Sequence, residues 1–107
     1  MPVSEWRRFD AYEVAKLPPS PGVFELADAE GRVLFIGIAG TKTRGGLKAA
    51  LTKELQAPGE AYQFRYEPTP RYLPREQELL TAYAVANGGL PPVNRARARK
   101  RAGLPPK

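Results

Sequence analysis

Apolar positions in this chain fall into short blocks separated by turn residues, and their spacing changes from block to block. Ser4 to Phe9 reads as an irregular arm with Trp6 and Phe9 available to pack. Asp10 followed by Glu13 is a capping-box pattern, which opens a short helix from Ala11 to about Leu17. Pro18, Pro19 and Pro21 stop that helix and force extended backbone. The branched and aromatic run Gly22 to Leu26 predicts a strand, and Asp28-Ala29-Glu30-Gly31 is turn material. Val33 to Ile36 predicts a second strand, apolar enough throughout to be buried on both faces. A connection this short makes the pair an antiparallel hairpin.

The pattern then lengthens. Gly37 to Gly46 holds four glycines, two threonines, Lys42 and Arg44, a loop rich in backbone donors. Leu47, Leu51 and Leu55 recur every four residues, the buried stripe of a helix that Pro58-Gly59 ends. Tyr62 to Tyr66 alternates and predicts a third strand. Pro74 suits the first turn of a last helix, roughly Arg75 to Ala86, closed by Asn87-Gly88-Gly89. Leu90 to Asn94 reads as an extended segment folding back on the core. The expected fold is α/β (α+β): a three-stranded sheet with an N-terminal hairpin, flanked by helices. A length of 107 residues allows one domain, read as residues 1–94 with a core from 17 to 94, followed by a basic tail over 95–107.

Composition narrows the chemistry. The chain has no cysteine and no histidine, which excludes disulfides, thiolate zinc sites, histidine general bases and serine-histidine-aspartate triads. Catalysis would have to run on carboxylates, tyrosines, lysines, arginines or an oxygen-bound metal ion. Neither a membrane-spanning apolar run nor a secretory leader is visible, so the expectation is a cytoplasmic protein with no membrane partner. The net charge of +6 is unevenly placed. From Asn94 onward there are six cations (Arg95, Arg97, Arg99, Lys100, Arg101, Lys107) and no acid, while the remaining eleven cations are matched by eleven acids. Such a run either binds a polyanion or stays solvated.

Two short motifs fall into register on the predicted hairpin. Pro21-Gly22-Val23-Phe24 precedes Phe35-Ile36-Gly37, with eleven residues from Phe24 to Phe35. The Gly-rich loop, amphipathic helix and strand follow. A helix carrying Glu76-x-x-Leu79-Leu80-x-x-Tyr83 comes next, and then Pro91-Pro92-Val93-Asn94. This ordered set, from about Leu17 to Asn94, resembles the GIY-YIG nuclease superfamily. It is similar in flavour to the small stand-alone bacterial members and to the incision domain of excision-repair nucleases.

The resemblance implies phosphodiester hydrolysis with a single Mg²⁺ or Mn²⁺ held by a glutamate. In that family a tyrosine hydroxyl helps activate water, an arginine on the first long helix contacts the phosphate, and a second tyrosine and an asparagine complete the site. Carried onto this chain, Glu76 takes the metal-ligand position, with Glu78 as fallback, and Asn94 the asparagine position. Phe24 and Phe35 stand at the two tyrosine positions, and Ala50 at the arginine position. Glu76 also has an ordinary reading, as a first-turn acid favoured by the helix dipole. Phenylalanine keeps the ring but neither donates nor accepts a proton. Losing one acid–base group typically costs about 10²–10⁴-fold in rate. Lys42, Arg44 and Lys48 beside the Gly-rich loop are one candidate phosphate-binding group. Arg97, Arg99, Lys100 and Arg101 in the tail are another.

Three readings stand. The first is a Mg- or Mn-dependent endonuclease with a degenerate site. The second is a catalytically silent DNA- or RNA-binding module on the same fold. The third is a protein-interaction domain with a solvated basic tail. The resemblance makes nucleic acid the expected partner, DNA ahead of RNA.

Overall fold

The computed structural model describes residues 5–57 and 59–105; Ser4, Pro58 and Lys107 lie outside them. It is an α+β fold, a four-stranded antiparallel sheet with four helices. The strands are β1 (Arg7–Arg8), β2 (Gly22–Ala27), β3 (Val33–Ala39) and β4 (Gln63–Pro68), in the order β1-β4-β2-β3. The helices are α1 (Ala11–Val14), α2 (Gly46–Leu55), α3 (Tyr72–Asn87) and α4 (Pro92–Arg101).

The hairpin forms as its composition predicts. Gly22 pairs with Ala39, Phe24 with Gly37 and Leu26 with Phe35. The Asp28 carboxylate accepts the backbone N–H groups of Glu30 and Arg32, and Gly31 takes the left-handed φ of +89° that the turn needs. The strand buried along its whole length is β2, which lies between β3 and β4. β3 is an edge strand, and its Val33 and Leu34 are only half-buried. α3 and α4 pack against it.

A core of Val14, Leu17, Phe24, Leu26, Phe35, Leu47, Leu51 and Phe64 joins sheet to helices. The Asp10 half of the α1 cap forms, its side chain accepting the Glu13 N–H at 2.9 Å, but the Glu13 carboxylate turns to Arg7 and Lys16 and the helix ends at Val14, short of Leu17. Leu47 and Leu51 are wholly buried, which confirms the stripe on α2. Glu25 is the one buried carboxylate in the middle of the sheet. Its neighbour across the β2–β4 ladder, Arg65, neutralises it at 2.8 Å and stacks on Trp6.

The edge position of β3 overturns the reading of Val33 to Ile36 as buried on both faces, and three further expectations need correction. The sheet has four strands, because the arm pairs with β4: Arg7 lies opposite Phe64, and the Phe9 ring packs edge-on against Phe64. Two paired residues are too few to show a period in sequence. The last predicted helix begins earlier, at Tyr72, with Pro74 still inside its first turn. The largest change is at the C-terminal end. The segment read as extended, and the run read as a basic tail, form α4 from Pro92 to Arg101. Pro91-Pro92 looks like a helix breaker, yet proline at the first helical position is favourable. The alanines, arginines and lysine that follow are strong helix formers.

Candidate functional site

The positions singled out by the motifs meet in one cleft of about 320 Å³. It lies where β2, β3, α2, α3 and α4 come together. Its lining includes Phe24, Phe35, Ala50, Glu76 and Asn94. Glu76 and Asn94 come from different helices, and their convergence on two hairpin phenylalanines depends on the tertiary fold.

The two rings form the apolar wall. Phe24 is 2 % exposed and Phe35 9 %, with their centroids 5.8 Å apart. Gly37 lies opposite Phe24 in the hairpin. A β-carbon there would come within 2.6 Å of both rings, so only glycine lets them close over the strand. These aromatics are core residues that also line a cleft, and they bring no hydroxyl to it.

Asn94 is fully committed. Its side-chain carbonyl accepts the Ile36 N–H at 2.8 Å, and its amide donates to the Ile36 carbonyl at 2.9 Å. The outward backbone groups of an edge strand need partners, and one asparagine side chain supplies both. Asn94 is therefore a latch between α4 and β3.

Arg97, one turn further along α4, is committed as well. Its guanidinium makes a two-pronged bond to Glu54 on α2 at 2.8 and 3.0 Å, and it stacks on the Phe35 ring 4.3 Å from the centroid. The bond to Glu54 raises the arginine's pKa further above its usual range. Arg97 thus joins α4 to both α2 and the hairpin.

Glu76 is different. Its half-buried carboxylate makes no hydrogen bond or ion pair among the described residues. Burial pushes its pKa up, and the charge of Arg101 on α4 partly offsets that. Glu78 turns outward, exposed and bridged to Arg75 at 2.8 Å.

The candidate phosphate-binding cations divide. Arg97 and Arg101 line the cleft, joined by Lys53 of α2. Lys42, Arg44 and Lys48 are exposed and do not line it; Lys48 borders a separate shallow depression with Pro19, Gly45 and Thr52. Arg99 donates to the Pro105 carbonyl at 2.9 Å, and Lys100 is exposed.

Sequence reasoning passed over Lys53, Glu54 and the placement of Tyr72. The Tyr72 hydroxyl accepts the Thr41 N–H at 3.1 Å and lies 3.2 Å from the Thr41 hydroxyl. Its ring lies against Gly40. The Thr41 hydroxyl bond, then the Thr41 backbone bond and the Lys42 charge, lower its pKa. Tyr72 thereby fastens the Gly-rich loop to the start of α3. Its four-residue spacing from Glu76, one helical turn, was the available signal. The pairing of Glu54 with Arg97 spans 43 residues and leaves no local signal.

The residues do not fit the divalent metal that the resemblance implies. A Mg²⁺ ion held by one carboxylate needs that charge uncommitted, with water and substrate phosphate completing its shell. Here the charge of Arg101 partly offsets Glu76, Glu54 is taken by Arg97, and the lining as a whole keeps one net positive charge, which disfavours a dication. The asparagine amide is held by Ile36. No group of three or more aspartates, glutamates, histidines or cysteines that could hold a metal occurs among the described residues. Nor is any helix among them long and apolar enough to cross a membrane.

No curated protein and no solved structure matches this chain. A family match covers residues 1–85, taking in every part of the cleft except α4. The chain belongs to that family, described as a domain of unknown function, DUF7508.

Proposed function

We propose that this chain is a nucleic-acid-binding domain on a GIY-YIG-like scaffold whose hydrolytic centre has lost its acid–base groups. One observation carries the reading: Phe24, Phe35, Ala50, Glu76 and Asn94, matched to the motifs separately, line a single cleft. A chance motif match gives no reason for residues so far apart in sequence to converge. Their chemistry then argues for binding over cleavage. The tyrosine positions hold buried phenylalanines, the arginine position holds alanine, and the asparagine is tied to the backbone.

Cations on one helix supply the electrostatics. Arg95, Lys100 and Arg101 of α4 are exposed, and no acid follows Asn94 to balance them. A phosphate backbone laid along this helix meets several cations in succession. It also passes the mouth of the cleft, where Lys53 and Arg101 project. Contacts of this kind neutralise phosphates and read no bases.

The test is fluorescence anisotropy with a labelled DNA duplex and the matching RNA. Log affinity should fall with log salt at a slope steeper than about −2, and Arg95→Ala with Lys100→Ala should flatten that slope by about 1–2. Binding that ignores salt, or no binding even at about 50 mM salt, would overturn the reading. Capture of a protein partner without nucleic acid would favour the protein-interaction alternative.

A further inference from the structure

We infer that the cleft at Glu76 is a metal-independent phosphate site, in which Arg101 supplies in cis the positive charge that a divalent ion would otherwise bring. This rests on the nucleic-acid reading and names the group that the cleft would hold.

The cleft lining carries three cations, Lys53, Arg97 and Arg101, and two carboxylates, Glu54 and Glu76. Glu54 and Arg97 satisfy each other in a two-pronged bond, so that pair adds structure and almost no net charge. Glu76 and Arg101 oppose each other less closely, through charge without a hydrogen bond. Lys53 has no ion pair among the described residues. The sum is one net positive charge in a concave site with an apolar floor of Phe24 and Phe35. Field lines concentrate in such a cleft.

A single phosphate group suits that arrangement. Its oxygens would accept from the Lys53 ammonium and the Arg101 guanidinium, both with donors to give. Glu76 then acts against binding, because its carboxylate faces the same space as the anion. This is the reverse of what a metal ligand does. With a metal, Glu76 is indispensable; with Arg101 in the metal's electrostatic place, Glu76 is a brake.

The opposite signs make the test. Inorganic pyrophosphate is titrated into the full chain in excess EDTA and followed by amide NMR shifts. The shifts should centre on Gly37, Lys53, Glu76 and Arg101. Lys53→Ala with Arg101→Ala should weaken the apparent affinity at least about tenfold. Glu76→Gln should strengthen it about threefold or more. Neither Arg101 nor Glu76 makes a hydrogen bond that these changes would break, and the amide spectrum reports directly whether each variant is folded. Shifts that appear only after Mg²⁺ is added, or a Glu76→Gln variant that no longer binds, would overturn the inference. Shifts centred away from these residues, or absent, would overturn it too. Pyrophosphate bound in the cleft by a chain that ignores DNA and RNA would leave this site standing and remove the nucleic-acid reading. Oligonucleotide binding without pyrophosphate shifts in the cleft would do the reverse.

Discussion

Asn94 is one of two side chains that tie α4 to the body of the molecule, the other being Arg97. Ile36 sits on an edge strand with its N–H and C=O pointing away from the hairpin partner, and Asn94 satisfies both. Asn94→Ala removes both partners at once. It should lower unfolding free energy in urea by about 1–3 kcal/mol, and Asn94→Asp, which keeps an acceptor and loses the donor, should fall between. Wild-type stability in Asn94→Ala would show that water replaces the latch. At this scale the sequence was partly legible. The motif picked out Asn94, Glu76 and both phenylalanines, and the fold places all four on the lining of one cleft. The motif could not say that the asparagine amide was already taken, because its partner is a backbone unit 58 residues away. Lys53 gave no signal either: a lysine on a helix reads as solvated charge until tertiary packing puts it at a cleft mouth.

Elements with strong local chemistry were the readable ones. The Asp10–Glu13 cap, the leucine stripe of α2 and the Asp28–Gly31 turn of the hairpin each carry their cause within a few residues, and each forms. β1 and α4 were missed for opposite reasons. β1 exists only through pairing with β4, so its two residues carry no period of their own. α4 has ample helix propensity, but two prolines and a run of charge resemble a solvated tail. What keeps α4 on the body is the pair of long-range ties through Asn94 and Arg97.

The Gly-rich loop belongs to this scale as well. Gly46, at φ +60°, lets the start of α2 press on Pro19 and Ser20, where a β-carbon would meet backbone at 2.5 Å. The far side of the loop is held by the Tyr72 hydroxyl. Tyr72→Phe should therefore speed hydrogen exchange at the Thr41 amide while lowering global stability by no more than about 1.5 kcal/mol. Unchanged protection at Thr41 would mean that the loop is held by its own internal turns.

Over the whole molecule, charge is segregated: the body through residue 93 is neutral, and the excess sits on the last helix and beyond it. That helix lies outside the matched family region, yet it completes the cleft with Asn94, Arg97 and Arg101. On the proposed reading, a cleft with phenylalanines at the two motif positions and an arginine-rich helix beside it should hold nucleic acid and leave it intact. The most direct measurement incubates the purified chain with end-labelled DNA and RNA in Mg²⁺ and in Mn²⁺. Complex formation and strand length are then read from the same samples. The account predicts a salt-sensitive complex with every strand at full length, in both metals and in EDTA alike. Metal-dependent cutting that vanishes in Glu76→Ala would contradict it, and so would the absence of any complex at low salt.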